Sequence, residues 1–192
     1  MKKLLSIFAL MMVSIAASAQ EDEWENIQLN AEGAYEVKEV VIVEGVTQAN
    51  LFGRAMEALS DRTGPDGRST VGIDYSDKDA GTVIYKGQFY MGYYQTSLGS
   101  NINYYLNFTL KVRCKDGRAQ TTVTSPSVTF KSSKIPDVTR TMTELLEAKK
   151  NGKKPNDRQK KRIHFIKVPD CVKMIVEAMN NRLKVTSSDD DF

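Results

Sequence analysis

INYYLNFTLKVRCKDGRAQTTV, residues 102–123, decides the fold, because hydrophobic pattern, turn chemistry and strand register agree there. Ile102, Tyr104, Leu106, Phe108, Leu110, Val112 and Cys114 alternate with Asn103, Tyr105, Asn107, Thr109, Lys111, Arg113 and Lys115. A period of two sends one set of side chains to a core and the other to water. Asp116-Gly117 is the reversal, and a two-residue type I′ turn, with positive φ at both positions, is expected to set Lys115 opposite Arg118. That register brings Cys114 to Ala119, Val112 to Thr121 and Leu110 to Val123 on the apolar face. Lys111 then meets Thr122 and Arg113 meets Gln120 on the other, so pairing and pattern give one β-hairpin.

Upstream, YEVKEVVIV (residues 35–43) is rich in β-branched residues and ends in an apolar run, which predicts a strand with both faces partly covered. Glu44-Gly45 breaks it, and Thr47 caps a helix whose Leu51, Ala55, Ala58 and Leu59 share a face, at some cost from Gly53. Gly64-Pro65-Asp66-Gly67 ends that segment. Val71, Ile73 and Tyr75 predict a second strand. After a polar turn, Val83, Tyr85, Phe89, Met91 and Tyr93 form the inner face of a third, with Ile84, Lys86, Gln88, Tyr90 and Tyr94 on its outer face. Downstream, the hairpin is expected to fade near Ser125-Pro126 or to resume through Phe130 as an edge. A short helix is expected from about Val138 to Lys150, and another capped by Asn156. The last helix is predicted from the N-cap Asp170, with Val172, Ile175, Val176, Met179 and Leu183 as its stripe.

The first twenty residues, MKKLLSIFALMMVSIAASAQ, combine Lys2 and Lys3, an apolar run of about a dozen residues, and Ala17-Ser18-Ala19, the pattern of a cleaved export signal over residues 1–19. The run falls short of the roughly 20 residues a span needs. No Cys follows it to carry a lipid, so the expectation is an exported chain, periplasmic or extracellular, soluble and not a lipoprotein. Residues 20–33 read as a flexible lead-in, 34–186 as one domain with a basic helical insertion at about 134–168, and 187–192 as a disordered acidic tail. A chain of 192 residues with 41% hydrophobic and 27% charged residues suits that single core. Losing Lys2 and Lys3 lowers the formal charge from +3 to +1, which argues against nucleic acid as a partner.

Strand, helix, four antiparallel strands, helix is an α+β order, and both helices must cover one sheet face to supply a second layer. In that order, with YEVKEVVIVEG, Leu51-Phe52-Gly53-Arg54-Ala55, Gly81-Thr82-Val83-Ile84 and Lys115-Asp116-Gly117-Arg118, the chain resembles a family of exported bacterial proteins. They carry a domain of unknown function with a TATA-binding-protein-like fold. The resemblance covers roughly residues 35–130 and implies a curved five-stranded antiparallel sheet, strand one beside strand five, and no defined activity.

Chemistry-bearing motifs are sparse. His164, the only histidine, allows one triad at most, and its flanks Ile163, Phe165 and Ile166 suit a partly buried structural role. One His and two distant Cys make no zinc signature, and no cofactor or metal is expected. Asp74, Asp77 and Asp79 suggest a calcium loop, but position twelve from Asp77 is Gln88. They remain the clustered carboxylates of an alternative envelope enzyme. Cys114 and Cys171 leave a disulfide, two inert thiols and a redox site open. Lys149, Lys150, Lys153, Lys154, Arg158, Lys160, Lys161 and Arg162 form a basic run, a solvated face or a peripheral dock for an anionic surface. The favoured reading is a non-enzymatic module binding an envelope ligand or protein on the outer sheet face, through Tyr90, Tyr94, Tyr105, Asn103, Asn107, Lys111 and Arg113.

Overall fold

The computed structural model describes residues 34–60, 72–151 and 156–185. The export signal, the lead-in, the Gly64–Gly67 break, Lys153, Lys154 and the acidic tail lie outside the described residues, as do the side chains of Lys149 and Lys150. The elements are β1 (Glu36–Ile42), α1 (Gln48–Ser60), β2 (Ile73–Asp77), β3 (Thr82–Gln95), β4 (Asn101–Lys115), β5 (Arg118–Ser132), β6 (Ile135–Thr141), α2 (Met142–Asn151), α3 (Asp157–Lys160), β7 (Ile163–Phe165) and α4 (Val168–Lys184). Hydrogen bonding orders the strands β1-β5-β4-β3-β2, with β6 added to β5 and β7 to β3. The architecture is α+β, an antiparallel sheet with helices on one face, and strand one does lie beside strand five.

Contacts divide the chain into two compact units. The first takes in Tyr35, Phe89–Asn107 and Ser125–Cys171; the second takes in Glu36–Gln88, Phe108–Thr124 and the chain from Val172.

In the second unit, β1 pairs antiparallel with β5, Val41 against Ala119, Glu39 against Thr121 and Val37 against Val123. These odd positions of β5 face the core with Leu110, Val112 and Cys114 of β4, all nearly fully buried. α1 buries Leu51, Ala55 and Leu59, and α4 buries Val172, Val176, Met179 and Leu183. Side-chain bonds tie the helices to each other and to the sheet: Arg54 Nη1 donates to Leu183 O at 3.0 Å, and Thr121 Oγ1 donates to Asn180 Oδ1 at 2.7 Å. Contrary to expectation, β1 is not covered on both faces; Val40 and Ile42 are 56% and 59% exposed, as befits an edge strand.

The hairpin turn departs from type I′. Gly117 has φ of 71°, but Asp116 is not among the residues with positive φ, so only one of the two central positions is left-handed. The reason lies in what the turn touches. Asp116 Oδ1 accepts from Gln48 N–H at 2.7 Å at the start of α1. Gly117 N–H donates to Val46 O and Gly117 O accepts from Val43 N–H, both at 2.9 Å. The turn is shaped by docking on the β1–α1 loop rather than by hairpin twist alone.

The first unit's core is Ile102, Tyr104, Leu106, Val128 and Phe130 with Met91 and Tyr94, roofed by Met142 and Leu145 of α2 and by Val168 and Cys171 of α4. Tyr104 and Phe130 meet edge to face at 5.0 Å. β5 does not fade at Ser125-Pro126 but runs on to Ser132. The expected helix from Val138 starts instead at Met142, because residues 135–141 pair with β5 as β6. Thr141 and Glu144 then close a capping box: Thr141 N–H donates to Glu144 Oε2 at 2.8 Å, and Glu144 N–H to Thr141 Oγ1 at 3.3 Å. α3 is capped by Asn156 as expected, with Gln159 completing that box. Asp170 is not the N-cap of α4; the helix begins two residues earlier, and Cys171 N–H donates to Lys167 O at 3.0 Å. Pro169, lacking an N–H, fits that first turn at no hydrogen-bond cost.

Candidate functional site

The sheet face opposite the helices in the first unit gathers half-buried aromatic and polar side chains, with the buried Thr129, from adjacent strands. β4 presents Asn103, Tyr105 and Asn107 outward by alternation, β3 presents Tyr90, and β5 presents Ser127, Thr129 and Lys131. The Tyr90 and Tyr105 rings lie 5.3 Å apart, tilted by 51°. Tyr90 OH donates to Asn103 Oδ1 at 3.3 Å, and Lys131 Nζ stands 4.9 Å from the Tyr105 ring centroid. Asn107 Nδ2 donates to Thr129 Oγ1 at 2.8 Å and to Ser127 Oγ at 3.3 Å, while Thr129 and Thr139 share a hydroxyl bond at 2.8 Å. A tilted aromatic pair contributes about 0.5–1.5 kcal/mol beyond area burial, and a cation over a ring about 0.5–1 kcal/mol at an exposed site. These contacts hold the two rings against each other and against Asn103 and Lys131.

Tyr94 does not belong to this face. It is 8% exposed and packs in the core, where its phenol raises the pKa of the neighbouring Tyr104, itself pushed up chiefly by burial. Gly92, with φ of 129°, shifts the alternation of β3 by one residue, so Met91 and Tyr94 face inward. Tyr93, expected inside, is half-buried and stacks on His164 at 5.0 Å, their planes 30° apart. His164 is exposed on β7 and paired with Tyr93, rather than partly buried as its flanks suggested. The same one-residue shift occurs in β5. Ser125, with φ of 48°, separates buried odd positions (Ala119, Thr121, Val123) from buried even ones (Val128, Phe130). That shift turns Lys131, Ser127 and Thr129 outward, and the Ser125-Pro126 pair was its signal in the sequence.

Lys111 and Arg113 are residues of the second unit, where Arg113 lines a cleft with Lys115, Arg118 and Gln120. In the basic run, Arg158, Lys160 and Lys161 are exposed; Arg162 is half-buried, and its carbonyl accepts from Gln95 N–H at 3.0 Å.

The Asp74 and Asp77 carboxylates do structural work, and Asp79 contributes its backbone carbonyl. Asp77 Oδ1 accepts from Ala80 N–H at 2.9 Å and Oδ2 from Tyr75 OH at 3.1 Å, and these bonds hold its carboxyl below the usual range. Asp74 pairs with Lys86 at 3.1 Å. Asp79 O accepts from Gln48 Nε2 at 2.9 Å. Among the described residues no group of three or more His, Cys, Asp or Glu could hold a metal ion, and no helix is long and apolar enough to cross a membrane. Cys114 and Cys171 are buried free thiols. Burial pushes them up to about 11 and about 12, Asp170 adding to the shift at Cys171.

Residues 38–129 match the model of a family described as a domain of unknown function (DUF4468) with TBP-like fold. Residues 38–129 belong to this family. A DUF4468 family protein from Bacteroides ovatus aligns with TM-score 0.55 at 14% identity, over 88% of this chain and 98% of its own. A TBP-like protein from Parabacteroides distasonis aligns with TM-score 0.54 at 9% identity, over 84% of this chain and 99% of its own. No curated protein matches the sequence. At such identities the two structures carry the fold of this DUF4468 domain and nothing about its ligand.

Proposed function

We propose that this DUF4468 domain is an exported, non-enzymatic binding module of the cell envelope, and that its ligand seats on the Tyr90–Tyr105 face. The observation that carries the reading is the tilted Tyr90–Tyr105 pair at 5.3 Å, flanked by Asn103 and by Lys131. Two aromatic rings offer flat apolar area with little entropy to lose. The amide and the ammonium beside them supply directional polar contacts, the combination that recognition surfaces favour. The amino-terminal export pattern supports the envelope as its place of action. An envelope enzyme working through Asp74, Asp77 and Asp79 is the weaker reading, because the first two carboxylates are held by a lysine, a tyrosine and a turn N–H.

A thermal-shift screen against envelope glycans and metabolites tests the proposal, since a ligand at one hundred times its Kd stabilises by about 2.7 kcal/mol. A hit that raises the melting temperature of the native protein and leaves a Tyr90→Ala, Tyr105→Ala variant unmoved supports it. A hit that shifts both proteins equally overturns the placement.

A further inference from the structure

The second unit carries a concave site of different chemistry. A cleft of about 380 Å³ at the tip of the β4–β5 hairpin is lined by Val40, Ala80, Arg113, Lys115, Arg118 and Gln120, among others. Alternation places Arg113 and Lys115 on one face of β4, and the two-residue turn delivers Arg118 at the start of β5, so local sequence alone concentrates three exposed cations there. Four cations elsewhere sit beside carboxylates: Lys38 is 3.6 Å from Glu36, Lys86 3.1 Å from Asp74, Arg140 3.4 Å from Glu144 and Lys173 3.7 Å from Glu177. Arg113, Lys115 and Arg118 have no such partner among the described residues. The turn's own carboxylate, Asp116, is committed to the Gln48 N–H at 2.7 Å.

The backbone under these cations is pinned. Cys114 N–H donates to Gly81 O at 2.7 Å, and Gly117 bonds Val43 and Val46 at 2.9 Å each. A Cβ on Gly81 would stand 2.6 Å from Cys114 O, so the β2–β3 turn and β4 are held in close approach. Three like charges on a fixed concave frame focus a positive potential, and among the described residues none of them forms an ion pair. Guanidinium groups bind tetrahedral oxyanions through paired N–H bonds, with an ammonium as an added point charge and an amide as a further donor.

We propose that this cleft binds a phosphate group. The shared chemistry is a tetrahedral phosphate oxyanion, carried by a soluble phosphate ester or by a lipid headgroup. The exposed Val40 and Ile42, the latter in register with Arg118, offer an apolar wall to whatever bears it.

The test is calorimetric titration of the purified protein with inorganic phosphate and with glycerol phosphate. A co-sedimentation arm uses phosphatidylglycerol vesicles against phosphatidylcholine vesicles, and sodium chloride holds ionic strength constant throughout. Saturable binding is expected in one arm, weakened about tenfold or more in the Arg113→Gln, Arg118→Gln variant. The arm that saturates names the source. All three side chains are exposed, and Lys115→Gln, read in parallel, must weaken the same interaction. Absence of saturation in both arms overturns the proposal, as does binding unchanged in both variants.

Discussion

Gly92 and Ser125 are single residues that decide which side chains reach which face. Their φ values of 129° and 48° lie where L side chains are costly. Strict alternation through β3 puts Tyr94 outside, and the glycine puts it inside. A glycine within a strand is a legible warning of such a shift, but its direction depends on which neighbour the core accepts. Asn180 illustrates what alternation cannot show at all. It sits in the stripe region of α4 yet links β1 to β5, accepting from Thr121 Oγ1 and donating Nδ2 to Glu39 Oε2 at 2.9 Å. Asn180→Ala strands the buried Thr121 hydroxyl, so chemical denaturation is expected to show a loss of about 1–3 kcal/mol, against near neutrality for the Thr121→Val, Asn180→Leu pair. Cys114 and Cys171 present a simpler expectation. With both thiols held neutral by burial, iodoacetamide is predicted to label neither in the folded protein, and to label both after denaturation without reductant. Labelling of both only after reductant would reveal a disulfide.

At the level of elements, β4, α1, α3 and the stripe of α4 were readable because their signals are local: alternation, a cap three residues from its partner, an apolar face at helical spacing. β6 and β7 were not, since residues 135–141 and 163–165 are strands only because β5 and β3 offer them edges. The start of α2 could have been placed from the Thr141-x-x-Glu144 pattern. That box also yields a pH dependence. The Thr141 N–H, the largest favourable cause, and then Arg140 hold the Glu144 carboxyl below its ordinary value. A carboxylate whose folded pKa is depressed contributes its stability fully above the unfolded value, and loses it as pH falls through the folded value. Glu144→Gln is therefore expected to be less stable than the native chain at neutral pH. The gap should narrow on acidification through the carboxylate range, as followed by thermal melts across pH. A gap independent of pH would contradict the assignment.

For the whole molecule, the α+β order, the family and the outer-face residues Tyr90, Tyr105, Asn103 and Asn107 were legible from patterned strands and short structural motifs, whereas the place of Lys131 beside Tyr105 and the burial of Tyr94 were not. A formal charge of +3 conceals the cations gathered at one hairpin tip, and the positions of Tyr94 and Lys131 depend on two shifts in strand parity. The fold persists at 14% and 9% identity, so the function of this chain rests on its own side chains rather than on its architecture. The central claim is that Tyr90 and Tyr105 form an accessible recognition surface while Tyr94 lies in the core. Hydroxyl-radical footprinting with residue-level mass readout tests it most directly. The account predicts oxidation of Tyr90 and Tyr105 and protection of Tyr94 and Tyr104 in the free protein, with Tyr90 and Tyr105 becoming protected when a ligand from the thermal-shift screen is bound. Oxidation of Tyr94 at the rate of Tyr90, or unchanged oxidation of Tyr90 and Tyr105 at saturating ligand, would contradict it.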